Sequence, residues 1–182
     1  MIKVLVPLAQ GCEELEAITI TDLLVRAGFH VTTAGLDNQP VKASRGMRLL
    51  PDTNIDDVLN ETFDLIVLPG GLPGADHLRD DARVQNLLKK HAASGKYVAA
   101  ICAAPKALAQ AGLLDGKTAT SYPGVLSALN LTNTQVKESA LEIDGKVVTS
   151  RGPGTAMDFA LTLIELLAGK AKRDEVNKQL VR

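Results

Sequence analysis

Four mainly apolar runs of strand length dominate the first part of the chain: Ile2–Leu8, Phe29–Ala34, Leu65–Leu68 and Tyr97–Ile101. None alternates polar with apolar residues. Gly35 closes the second, and Pro69-Gly70-Gly71 closes the third. Such runs suit parallel strands covered on both faces. Segments of helical length accompany them: Glu13–Arg26, Ala82–Ala93 and Pro105–Ala111. Strand–helix–strand repetition predicts an α/β fold, a doubly wound and mostly parallel sheet with right-handed crossovers and helices on both faces. Aromatic residues are only 3% of the chain and Trp is absent, so Leu, Ile, Val and Ala must fill the layers.

Shorter signals complete the outline. Alternation around Gly46 in residues 41–50 predicts a hairpin beside the main sheet. Strands are expected at Gln135–Ser139 and Lys146–Ser150, joined near Asp144-Gly145, a strong hairpin-turn dipeptide. A helix over Thr155–Ala168, with Thr155 as its N-cap and Gly169 as its C-cap, and a last helix over Asp174–Val181 close the chain. The 182 residues show no repeat, linker or low-complexity tract, so residues 1–182 are expected to form one domain.

Charge narrows the partners. Twenty basic residues against 21 acidic give a net charge of -1, no footprint for nucleic acid or an anionic membrane. No stretch approaches the roughly 20 apolar residues of a membrane span. Two cysteines without framework spacing and no signal peptide imply a cytoplasmic protein with reduced thiols. No cluster has metal-ligand spacing. His30, His77 and His91 stand in unrelated contexts and are expected on the solvated surface.

The chemistry concentrates at Tyr97–Pro105. A buried strand ends at Cys102 and a helix starts almost at once, with Pro105 suited to its first turn. Ala103 and Ala104 leave the turn uncrowded. That arrangement is a nucleophile elbow, which exposes one side chain at the strand's carboxyl end. Free N–H groups and a helix dipole there predict a lowered thiol pKa and a thiolate at neutral pH. The competing reading is that Cys102 is a small buried hydrophobe.

Glu16 is the second candidate. Glu13 and Glu14 suit a helix's first turn and need no further role. Glu16 instead heads the stripe Ile20, Leu23, Leu24 and Ala27, which turns it toward the core. Burial beside a thiolate would raise its pKa, and a neutral carboxyl could donate a hydrogen bond to sulfur. An exposed glutamate is the plainer alternative. Pro69-Gly70-Gly71-Leu72-Pro73-Gly74 is a loop able to offer N–H groups to an oxyanion, or a simple tight turn. It lacks the dinucleotide fingerprint. Ser150-Arg151-Gly152-Pro153-Gly154-Thr155 reads as a structural turn in which Arg151 is available to an anion.

Together these motifs resemble the ThiJ/PfpI superfamily, in the branch of the parkinsonism-associated deglycase. The resemblance rests on Gly11–Glu16, Ser44-Arg45-Gly46, Val67–Gly71, Ala99–Pro105 and Ser150–Thr155, and covers nearly the whole chain. It implies a flavodoxin-like sandwich, a homodimer and no cofactor. It implies Cys102 as nucleophile, readily oxidised, and Glu16 as its proton partner. Gly70, Gly71 and Ala103 match the oxyanion donors. Arg26 and Arg45 match arginines near the dimer interface and the mouth of the site. Two departures stand out. The protease-like branch has His where Ala103 stands, so a local Cys–His pair is missing. Animal members have His where Tyr122 stands, which makes Tyr122 a candidate pocket residue. Relatives usually lack a thiol at Cys12. That residue shares the sheet edge with Cys102 and is a candidate resolving thiol, against the plainer role of filling a turn.

The expected function is cysteine-dependent chemistry on methylglyoxal or on amino groups glycated by it, a glutathione-independent glyoxalase or protein deglycase. The substrate would be a small dicarbonyl or a glycated protein. A non-catalytic redox sensor or redox-regulated chaperone using Cys102 is the alternative.

Overall fold

The computed structural model describes residues 1–182. Its elements are β1 (Lys3–Leu8), α1 (Glu14–Arg26), β2 (His30–Gly35), β3 (Val41–Lys42), β4 (Arg48–Leu49), β5 (Thr53–Asn54), β6 (Leu65–Leu68), α2 (Gly74–Asp80), α3 (Ala82–Ala93), β7 (Tyr97–Ile101), α4 (Pro105–Gln110), β8 (Thr118–Thr120), β9 (Gln135–Lys137), β10 (Leu141–Asp144), β11 (Val147–Ser150), α5 (Ala156–Ala168) and α6 (Lys170–Gln179).

The main sheet has the order β10-β11-β7-β6-β1-β2-β5. Every pairing in it is parallel except the edge hairpin β10–β11. Its central strands run β2-β1-β6-β7-β11, the flavodoxin-like 2-1-3-4-5 order. The apolar runs become its interior: Val4, Leu5, Val6, Leu65, Ile66, Val67, Val98 and Ala99 are all buried. Helices α1, α5 and α6 pack together as one layer, and α2, α3 and α4 as another. One contiguous cluster of 49 buried apolar residues forms the core. In this order the chain reverses direction across the sheet between β1 and β6. Ligands of such sheets bind outside the carboxyl ends at that switch point.

Several expectations need correction. Asp144-Gly145 does close a hairpin, with Gly145 at φ +63°, but its first arm is Leu141–Asp144. The predicted strand at Gln135–Ser139 instead pairs in parallel with Thr118–Thr120. Thr155 precedes α5, yet its side chain makes no cap hydrogen bond to that helix. The last helix starts at Lys170 rather than Asp174. Helix α2 and strands β5, β8 and β10 went unpredicted. The hairpin within residues 41–50 forms as expected, Val41–Lys42 against Arg48–Leu49.

Candidate active site

Cys102 leaves β7 with φ +63°, in the left-handed region. A residue with a β-carbon is held there at a cost of about 1–2 kcal/mol. Two main-chain bonds hold it. Its N–H donates to the Ser150 carbonyl (2.9 Å), and its carbonyl accepts from the Tyr122 N–H (2.8 Å). Pro105 then opens α4. The elbow read from the sequence therefore exists. The residue is buried, 8% exposed at the edge of the core, so the turn forms without holding its side chain out to solvent.

Glu16 lies in the first turn of α1, beyond β1, and is fully buried. Its Oε2 accepts from the Gly70 N–H at 2.7 Å. Its Oε1 is buried without a hydrogen-bond partner. The carboxyl and Cys102 flank Gly70. Gly70 makes this closeness possible. A β-carbon there would lie 2.6 Å from Cys102 Cβ and 2.8 Å from Glu16 Oε2. Gly71, at φ +88°, has the same role against the turn after β1, where a β-carbon would meet Glu13 N at 2.3 Å.

Electrostatics couple the two side chains. Burial pushes the Glu16 carboxyl up to about 7, against the Gly70 N–H and the Cys102 side chain, which lower it. Burial, then the Glu16 carboxylate, push the Cys102 thiol up to about 12, against the N–H groups of Gly71 and Ala103. This corrects the expectation of a free-standing thiolate. Burial and a buried carboxylate outweigh the turn's N–H groups, so the two acids titrate as a pair.

The other candidates divide. The N–H groups of Gly71 and Ala103 favour the Cys102 anion, whereas the Gly70 N–H is committed to Glu16 and is not a free oxyanion donor. Tyr122 is half exposed beside the elbow, its ring against Gly152. Arg45, 79% exposed at the side chain, lies 3.9 Å from Glu13 on the hairpin tip. Arg26 pairs with Asp22 at 2.7 Å and sits ten residues along α1 from Glu16, about 15 Å away at the helical rise, so its own chain does not bring it to the site. Cys12 is a fully buried free thiol, and burial pushes it up to about 12 as well. That environment favours the turn-filling role over a resolving thiol. Arg151 donates to the Glu138 carbonyl. His30 and His77 are exposed, but His91 is buried and its Nε2–H donates to the Tyr97 carbonyl at 2.9 Å, contrary to expectation. No three His, Cys, Asp or Glu side chains gather as a metal site, and no helix is long and apolar enough to cross a membrane.

Glu14 was missed. It is buried and accepts from Ser44 Oγ (3.2 Å), the Arg45 N–H (3.0 Å) and the Met47 N–H (3.4 Å), fastening the β3–β4 hairpin to the start of α1. Neighbouring Glu13 accepts from Ser44 Oγ at 2.9 Å. No local signal marks this, because the donors lie some thirty residues away.

The family model described as the DJ-1/PfpI family matches residues 2–166. The chain belongs to the DJ-1/PfpI family. Among DJ-1/PfpI relatives, Protein DJ-1 homolog A of Arabidopsis thaliana is 47% identical over 180 residues, 98% of this chain and 46% of the relative. The chain spans less than half the length of the two Arabidopsis relatives it matches. The glutathione-independent glyoxalase DJR-1.2 of Caenorhabditis elegans is 37% identical over 171 residues, 94% of this chain and 91% of that protein. The crystal structure of Drosophila melanogaster DJ-1beta superposes with a TM-score of 0.95 at 44% identity, covering 99% of this chain and 97% of that one. The superfamily resemblance read from the motifs is thereby met, and the DJ-1/PfpI fold with it.

Proposed function

We propose that this protein converts small 2-oxoaldehydes such as methylglyoxal, free or as adducts on amino groups, without glutathione. One observation carries the reading. A buried carboxyl, anchored through one oxygen by Gly70 and unpartnered at the other, faces a thiol on a strained elbow. That is the constellation of a nucleophile with its own acid–base partner. The relative named as a glutathione-independent glyoxalase supports the same class.

Cys102 gives its proton to Glu16, and the thiolate adds to the aldehyde carbon. The carbonyl oxygen takes that proton, giving a hemithioacetal. Glu16 then removes the hydrogen on that carbon as a proton, the electron pair moves toward the neighbouring ketone, and Glu16 returns the proton to the ketone oxygen, giving an enediol. The first hydroxyl then gives its proton to Glu16, which delivers it to the second carbon as the first carbonyl re-forms, yielding a lactoyl thioester. Water cleaves it to lactate and restores the thiol. The N–H groups of Gly71 and Ala103 are suited to the oxyanion of the hydrolytic step. Glu16 cycles at each transfer, for which a carboxyl near 7 is matched to neutral solution. For a hemiaminal adduct, the carbinol hydroxyl loses its proton as the carbon–nitrogen bond breaks and the amine leaves with a proton, freeing the aldehyde that Cys102 attacks.

The test is lactate formation from methylglyoxal without glutathione. Cys102→Ser is expected to lose at least about 10³-fold in kcat/KM, and Glu16→Gln about 10²–10⁴-fold. Turnover retained in Cys102→Ser sinks the proposal. No turnover in the wild type, with rapid oxidation of Cys102 by peroxide, assigns the site to redox sensing instead.

A further inference from the structure

The strained conformation of Cys102 needs a rigid support, and that support does not come from its own helix. Its N–H is held by the carbonyl of Ser150, at the end of β11. Its carbonyl is held by Tyr122, whose ring lies against Gly152 just beyond β11. The first prop is thus Ser150 itself, and the second lies in a residue whose ring is next to Gly152. Sheet pairing of Ser150 with Ile101 and Leu141 and main-chain bonds at Arg151 and Thr155 fix residues 150–152, and a pair of hydroxyls adds a side-chain tie. Ser150 is fully buried, and its Oγ lies 2.6 Å from Thr155 Oγ1 and 2.9 Å from the Ala140 carbonyl. Thr155 Oγ1 in turn accepts from the Gly152 N–H (3.2 Å) and lies 2.9 Å from the Gly152 carbonyl, and the two hydroxyl protons are shared among these contacts. The Thr155 side chain thus ties both ends of the turn together instead of capping α5.

We infer that Thr155, acting through Ser150 and Gly152, is a positioning residue for Cys102. The hydroxyl pair locks the β11–α5 turn. The locked turn holds the acceptor for the Cys102 N–H and the wall behind Tyr122. Those hold the thiol where the N–H groups of Gly71 and Ala103 favour its anion. The inference rests on Cys102 being the reacting group of the proposed function, and it extends that site to two side chains that touch neither substrate nor thiol. An active-site distortion of a few tenths of an ångström is enough to weaken N–H contacts to an anion.

Thr155→Val removes the hydroxyl and keeps the shape, and Thr155→Ser keeps the hydroxyl. The readout is iodoacetamide alkylation of Cys102 in the intact protein from pH 5 to 9, followed by mass, with native fold checked by thermal melting. Alkylation needs no turnover, so it reads the inference even if the proposed reaction fails. Thr155→Val is expected to slow alkylation at pH 7 by about tenfold, with its pH profile displaced upward. Thr155→Ser should stay within about twofold of wild type. Ser150→Ala, which keeps the carbonyl acceptor, should act like Thr155→Val and serves if that variant does not fold. A lowered melting temperature with an unchanged alkylation profile overturns the inference, because a merely structural hydroxyl would behave that way.

Discussion

Glu16 is costly to keep. Its ordinary carboxyl value of 4.5 is pushed to about 7 by burial, with one oxygen left unpartnered. Between those two values the folded protein holds a proton that the unfolded chain has already lost. Folding stability is therefore highest below pH 4.5 as far as this group is concerned. It falls as pH rises through 7, by on the order of 3 kcal/mol in all. Glu16→Gln removes that penalty and keeps the shape. We expect the variant to unfold at higher denaturant than the wild type at pH 8, with the difference shrinking toward pH 4.5. Urea titrations at three pH values check this. Parallel stability curves would mean that the carboxyl is ionised without cost, and its role as a proton store would fall. Loss of activity with gain of stability is what a site group under strain should show.

At the scale of elements, the hairpin β3–β4 shows how a distant carboxylate shapes the rim of the site. Glu14 collects three donors from Ser44–Met47, and against burial its own N–H and those donors hold its carboxyl below the usual range. Removing the acceptor in Glu14→Ala costs the hairpin at least one net hydrogen bond, about 1 kcal/mol. That multiplies the population of the opened tip roughly fivefold. Trypsin cleavage after Arg45 should quicken accordingly, while the global melting curve moves little. An unchanged cleavage rate would show that Glu14 does not close the hairpin. The same element marks the limit of sequence reading. The long strands, α1, α3 and the Cys102 elbow were legible because apolar period, proline and small residues act within a few positions of one another. Helix α2 was not, because its seven residues follow a loop of glycine and proline that reads as breakers. Strands β5, β8 and β10 are two to four residues long and owe their extension to partners elsewhere in the chain. The site divides the same way. Glu16 and Cys102 could be named from stripe and elbow. The reassignment of Gly70 from oxyanion donor to carboxylate anchor, and the hydroxyl tie at Thr155, depend on distances that no local pattern encodes.

For the whole molecule, α1 carries two apolar faces. Ile20, Leu23 and Leu24 enter the core, while Leu15, Ile18 and Val25 face outward. Beside them lies Leu50, 82% exposed, and with Ile18, Val25, Leu49, Arg48 and Asp22 it borders an open groove of about 490 Å³. A helix apolar on both sides is expected to be covered on both. The groove also carries both signs of charge, which a copy related by a two-fold axis can pair with itself. We therefore expect a homodimer closed over α1 and β4. Sedimentation at micromolar concentration should give twice the 19.2 kDa chain mass. Ile18→Glu places a charge in the centre of that face and should give the single-chain mass. Its melting temperature should lose the dependence on protein concentration that a dimer imposes. Glu16 and the elbow lie within one chain, so alkylation of Cys102 in the variant should stay within about twofold of wild type. An Ile18→Glu protein that still sediments as a dimer would move the interface to another surface and leave the outer stripe of α1 without an explanation.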